Sequence, residues 1–297
     1  MLKGSYVALV TPFKNNEIDY NSLEKLIDFQ IENKTDGILF CGTTGESPAL
    51  AGDEKERLVR FGLKKIDKRI PVMMGTGTNN LQHTISATTR AAEWGIDYTL
   101  IITPYYNKPT QKGLYNYFKA IAENTTIPIV IYNVPGRTGV NIQAETTIQL
   151  ANEFSNIVGI KEASGDLDQL SRIVKNTDKD FAVMSGEDAL NLPIMSCGGD
   201  GVISVTANLL PRKLHDLLAL CSKQKYTDAL KIHQELIDIN EVLFIESNPI
   251  PVKESLYLMK MIERELRSPL CFMEDVNLIK LKKVLKVLIL ILIKVIL

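Results

Sequence analysis

Ile157-Val-Gly-Ile-Lys-Glu-Ala-Ser164 is the stretch whose reading decides the fold. Its apolar, β-branched residues suit a pleated and packed strand. Before it, Gln143–Phe154 has helical spacing, and after it Asp166 stands where it can cap a helix running to Asn176. A short apolar strand set between longer amphipathic helices is the building unit of a parallel sheet. Lys161 is the anomaly in this unit. A lysine on such a strand either sits at its end and reaches water, or is buried. Burial favours the neutral amine, which is a nucleophile toward carbonyls.

The same unit recurs in both directions. Strands are predicted at Tyr6–Phe13, Gly37–Gly42, Val72–Gly77, Tyr98–Pro104, Pro128–Val134, Ile157–Ala163, Phe181–Ser185 and Gly201–Val205. Helices are predicted between them. Asp19–Lys34 has Leu23, Leu26, Ile27 and Ile31 on one face; Asn79–Trp94 stops at Gly95, and Pro211 suits a first helical turn. Eight strand–helix units with right-handed crossovers predict a closed (β/α)8 TIM barrel. The alternative is an open doubly wound sheet, but no Gly-x-Gly-x-x-Gly follows the first strand. The barrel takes residues 1–222. Residues 223–297 are expected to form an appended C-terminal helical segment, with helices at Tyr226–Ile245 and Val252–Arg267 and a terminal one ending in an apolar tail.

Composition excludes several classes. The chain has 297 residues, 45% hydrophobic and 23% charged, and a net charge of −1, so neither a nucleic acid nor a membrane surface is expected as partner. Cys41, Cys197, Cys221 and Cys271 lack paired spacing, which suggests a reducing compartment without disulfides. The chain opens without a basic and then long apolar segment, so a cytoplasmic location is expected. In the tail, the lysine-free run Val287–Ile293 is too short to span a bilayer. It is expected to pack as a terminal helix or to be poorly ordered.

Barrel enzymes act at the C-terminal ends of their strands. There this chain has Thr43, Thr44, Tyr106, Tyr132, Arg137, Lys161, Glu162, Gly186 and Glu187. Each has a bland reading. Gly-Thr-Thr-Gly is good turn chemistry, Tyr132 could be a core aromatic, Arg137 a surface charge, and Glu162 and Glu187 solvated acids. Their convergence favours imine chemistry. A lysine imine needs a carbonyl substrate and a proton shuttle, for which Tyr132 is the best candidate, relayed through Thr43 and Tyr106. Arg137 suits a carboxylate. His83, His215 and His233 fall in predicted helices, and no ligand cluster points to a metal or cofactor. Cys197–Gly201 could hold a phosphate, but Asp200 and the lack of a nearby cation favour a turn.

Gly42–Ser47, Tyr132–Gly139, Gly159–Ser164, Thr103–Pro109 and Asn248–Lys253 resemble the signatures of the pyruvate-dependent class I aldolases, the dihydrodipicolinate synthase and N-acetylneuraminate lyase family. The resemblance runs from Gly4 to about Asp275. It implies a lyase in which Lys161 forms an imine with pyruvate, Tyr132 is the acid–base, and Thr44 and Tyr106 complete a relay. Tyr106 is expected to come from across a dimer interface. Thr43, Gly186 and Ile203 would line the pyruvate site, and Arg137 would take the carboxylate of L-aspartate 4-semialdehyde. The implied product is 4-hydroxy-tetrahydrodipicolinate, at the head of the diaminopimelate and lysine branch, and the implied assembly is a homotetramer. Arg137 favours this branch over the sugar-acid lyases, such as the N-acetylneuraminate enzyme, whose polyol substrates need neutral groups there. Lysine-inhibited members bind lysine where this chain has His83, Gly52 and Lys55 beside Ser47, Leu50, Asn79 and Tyr105. With a cation at Lys55 and no acid, feedback inhibition is expected to be weak or absent.

Overall fold

A computed structural model describes the backbone of residues 2–296 and the side chains of residues 2–287. Its strands are β1 (Gly4–Ala8), β2 (Gly37–Phe40), β3 (Val72–Gly75), β4 (Tyr98–Ile102), β5 (Ile129–Asn133), β6 (Ile157–Glu162), β7 (Ala182–Ser185) and β8 (Gly201–Ser204). All eight are parallel, and they close into a barrel because β1 pairs with both β2 and β8: Tyr6 lies opposite Gly37 on one side and Ile203 on the other. Gly37 is needed there. A Cβ at that position would lie 2.2 Å from the Tyr6 ring, which fills the barrel interior.

The alternating helices are α1 (Tyr20–Glu32), α2 (Gly52–Ile66), α3 (Leu81–Trp94), α4 (Gln111–Glu123), α5 (Ala144–Glu153), α6 (Leu167–Asn176), α7 (Asn191–Ser196) and α8 (Pro211–Ser222). Their ends follow local chemistry. The Asp166 side chain accepts from the Gln169 N–H at the start of α6, and Gly95 ends α3 at φ +91°. Strand residues alternate between two cores. Tyr6, Leu39, Met73, Leu100, Val130, Met184 and Ile203 fill the barrel, while Ile38, Ile101, Ile129, Ile131 and Ile160 face the helices. Each such fully buried side chain contributes about 1.5–3 kcal/mol.

Two expectations are corrected. The first strand stops at Ala8, and Phe13–Lys14 pairs instead with Glu17–Ile18 in a small hairpin. Its turn residues Asn15 and Asn16 have φ of +54° and +62°, which asparagine tolerates. The helix expected over Val252–Arg267 spans only Ile250–Leu258. Beyond it, Lys260 turns left-handed (φ +61°), and the chain is tied down by Arg264 to Glu254 and Arg267 to Glu54. Those ion pairs override the apolar periodicity.

Helix α9 (Tyr226–Val242) packs on α8; α10 (Ile250–Leu258) and α11 (Asp275–Ile296) follow it. In α11, Leu281 and Leu285 are buried in the main core, whereas Val276, Ile279 and Val287 are exposed. The side chains of residues 288–297, which make up most of the apolar tail, lie outside the described residues.

Candidate active site

A cavity of about 390 Å³ opens at the C-terminal ends of the strands, and Thr43, Thr44, Tyr132, Arg137, Lys161 and Gly186 all line it. Strand register builds its centre. Tyr132 on β5 pairs with Lys161 on β6, so both point into the barrel, and Lys161 Nζ stands 4.4 Å from the centre of the tyrosine ring. Lys161 is only 6% exposed. Burial, helped by the Arg137 cation, pushes its pKa from 10.5 down to about 8, against the opposing Asp188 carboxylate. Burial pushes the Tyr132 phenol up to about 12, although Arg137 and a hydrogen bond with the Thr43 side chain pull it back. The pair is therefore a proton-holding phenol beside an amine that loses its proton readily. Gly186 leaves room for that amine, since a Cβ there would come within 3.0 Å of Lys161 Cε.

The loop bearing Thr43 and Thr44 is held from below. Cys41 and Glu46, at φ +53° and +52°, bend it sharply. The fully buried Glu46 accepts from Lys253 Nζ at 2.5 Å and from the Arg267 N–H at 3.0 Å, and Lys253 also donates to the Thr11 carbonyl. Phe13 lies 4.4 Å from both the Lys253 ammonium and the Arg267 guanidinium, contacts of about 0.5–2 kcal/mol each. From α10's leading edge, Asn248 Nδ2 donates to Thr44 Oγ1 at 3.0 Å, and Arg137 donates to the Asn248 carbonyl at 3.4 Å. This leaves the Thr44 hydroxyl proton free for another partner. Asn248 and Phe244 also line the cavity, so the C-terminal helical segment completes its wall.

Two of the expected residues are not in that wall. Tyr106 stands 89% exposed on the loop after β4, at φ +71°, and Tyr105 takes a place in the lining instead. Ile203 is buried one layer lower, in the barrel interior with Tyr132 and Met184. The expectation that Glu162 and Glu187 are solvated acids is half right. Among the described residues Glu187 is the one acid in the lining, with its pKa raised by burial and by Asp188. Glu162 is 2% exposed and outside the cavity. Sequence reasoning missed Asp188, which is buried and accepts from the Ser204 hydroxyl (2.5 Å) and the Val205 and Thr206 N–H groups (2.8 and 2.9 Å). It also missed the parts played by Glu46, Asn248 and Lys253. Among the described residues, no three His, Cys, Asp or Glu side chains are grouped to hold a metal ion.

The barrel and sequence that carry this buried lysine, tyrosine and rim arginine are shared with known proteins. The family model described as the dihydrodipicolinate synthetase family matches residues 1–288. The chain belongs to the dihydrodipicolinate synthetase family. A 4-hydroxy-tetrahydrodipicolinate synthase from Hydrogenobaculum sp. is 48% identical over 286 residues, covering 96% of this chain and 98% of the relative. The crystal structure of dihydrodipicolinate synthase from Aquifex aeolicus superimposes with a TM-score of 0.94 at 47% identity, covering 96% of this chain and 97% of that one. The Thermotoga maritima structure gives 0.95 at 45% identity, covering 96% and 98%. The chain is thus a lyase-class enzyme on a TIM barrel, of the synthase branch and not the sugar-acid branch. Among the described residues no helix is long and apolar enough to cross a membrane.

Proposed function

We propose that the chain condenses pyruvate with L-aspartate 4-semialdehyde to form 4-hydroxy-tetrahydrodipicolinate and water, through an imine on Lys161 and with no cofactor. The neutral Lys161 amine attacks the pyruvate ketone, and Tyr132 supplies the proton with which water leaves. The protonated imine then draws electrons from the neighbouring methyl, which loses a proton to become an enamine. Having given up its proton, the Tyr132 oxygen is a phenolate whose conjugate acid lies at about 12, so it takes the methyl proton back. Hydroxyls beside it, Thr43, already bonded to the phenol, and Thr44, whose own proton Asn248 leaves free, steady that charge and carry the proton between steps. Tyr106, exposed in the single chain, completes the relay from a neighbouring copy in a homotetramer.

The enamine attacks the aldehyde carbon while the Arg137 guanidinium holds the second substrate's carboxylate. The substrate amine then adds to the imine carbon, the bond to Lys161 breaks, and the ring is released with the lysine amine restored. Thr43 and Gly186 border the space beside Lys161 that pyruvate would occupy, with Ile203 beneath it. The single observation behind this reading is the Lys161–Tyr132 pair, buried together with the amine's pKa brought down to about 8.

Borohydride reduction in the presence of pyruvate, followed by peptide mass mapping, tests it. A reduced pyruvate adduct on Lys161 is expected; no adduct, or one on another lysine, overturns the mechanism. Turnover of aspartate semialdehyde and not N-acetylmannosamine checks the second substrate.

A further inference from the structure

Glu162 follows the reactive lysine on β6, is 2% exposed, and has no use in the chemistry above. Its partners are all neutral N–H groups. Oε1 accepts from the Ser164 N–H at 2.7 Å and Asn133 Nδ2 at 3.1 Å, and Oε2 accepts from Asn133 Nδ2 at 3.0 Å and Gln169 Nε2 at 3.0 Å. A buried carboxylate without a cation is costly unless its hydrogen bonds require it.

They do require it. The network is anchored at both ends by backbone N–H groups, which only donate. At one end the Ile142 N–H donates to Asn133 Oδ1 at 3.1 Å, which turns the Asn133 amide NH2 toward Asn141 Oδ1 (2.6 Å) and toward Glu162. Asn141 must then offer its own NH2 to Gln169 Oε1 (2.9 Å), and Gln169 must offer its NH2 to Glu162 Oε2. At the other end Ser164 N–H already claims Oε1. Every orientation closes only if residue 162 presents two acceptors and no donor. An amide at that position sets its NH2 against those of both Gln169 and Asn133, and flipping any neighbour moves the conflict along without removing it.

We propose that Glu162 is a positioning residue whose charge locks this directional network, and through it the spacing of the Lys161 amine and the Tyr132 phenol. Asn133 and Glu162 are themselves register partners, the next pair along from Tyr132 and Lys161 on the same two strands. Tying their side chains together on the outer face holds the inner pair in place. The proposal rests on the imine mechanism, so wild-type trapping on Lys161 is measured first, and its absence sinks both.

The test is Glu162→Gln, which keeps the size and removes the second acceptor. Expected is a loss of about 10²-fold in the rate of borohydride-trapped imine formation at saturating pyruvate, the scale for misplacing a reacting group by about 1 Å. The pyruvate concentration giving half-maximal rate should stay put. Adding Gln169→Glu moves the acid across the 3.0 Å link and lets the new amide at position 162 donate to it, while Asn133 Nδ2 keeps the other oxygen at 3.1 Å and the long 3.3 Å bond from position 169 to Asn141 Oδ1 is given up, so part of the rate should return. If Glu162→Gln does not fold, Asn141→Ala, which breaks a middle link and buries no new charge, should slow trapping more mildly. Wild-type trapping in Glu162→Gln or Asn141→Ala, or a folded double variant no faster than the single, overturns the proposal while leaving the imine mechanism intact.

Discussion

Lys161 should destabilise the fold it serves, and replacing it should show by how much. A lysine whose pKa falls from 10.5 to about 8 on folding costs about 3 kcal/mol below the lower value. The 4.4 Å contact with the Tyr132 ring returns about 1 kcal/mol of that. Lys161→Met keeps the length, removes the charge and buries an apolar chain in the same slot, so a gain of about 2–3 kcal/mol is expected at pH 7. For a chain of this size that raises Tm by about 3–5 °C. The sign of the pH dependence follows from where the proton sits. Below pH 8 the wild-type amine is charged in both folded and unfolded chains, and the full burial cost applies. Between about pH 8 and 10.5 the unfolded chain holds a proton the folded chain lacks, so wild-type stability climbs with pH. The advantage of Lys161→Met should therefore be complete below pH 8 and shrink to nothing by about pH 10.5. Urea unfolding at matched protein concentration across pH 6.5–10.5 measures it. A variant no more stable than wild type at pH 7, or an advantage that does not change with pH, refutes the idea of a buried, proton-shedding amine.

Other outcomes follow from the same geometry. The rate of pyruvate imine trapping should rise about tenfold per pH unit below 8 and level off above it, as the neutral amine becomes the major form; a continued rise to pH 10 would mean an unshifted lysine. Arg137→Leu should leave imine trapping on Lys161 in place but raise KM for aspartate semialdehyde by about 10–100-fold, the worth of a charge-assisted hydrogen bond, and an unchanged KM would remove Arg137 from that role. Lys253→Met should destabilise by about 3–5 kcal/mol in thermal or urea unfolding, because Glu46 loses its 2.5 Å partner in a buried site. Free lysine should not inhibit at submillimolar concentration in a coupled assay, since Lys55 lies in the cavity wall and His83 supplies no acid.

The barrel was legible because its signals are local. Apolar strand runs and helix periodicity need only a few neighbouring residues and recur in the eight units, and the Asp166 cap and the Gly95 stop are equally local. Convergence at the rim followed from the barrel's known polarity, which put Lys161, Tyr132, Thr43, Thr44, Arg137 and Gly186 in one cavity. Local periodicity failed where distant charges took over, as it did past Leu258, where Arg264 and Arg267 hold an amphipathic segment out of helix.

By itself, then, the sequence determined the fold class and brought one lysine and one phenol to the same rim, because apolar strand runs and helix periodicity are written in near-neighbour patterns. Tertiary structure alone decided what holds them. Asn248 reaches Thr44 across 204 positions and Lys253 reaches Glu46 across 207. The need for an acid at Glu162 comes from the hydrogen-bond directions of Asn133, Asn141 and Gln169 taken together. Hydrogen bonds and ion pairs are satisfied by whatever the fold brings within about 3 Å, and that distance has no trace along the chain.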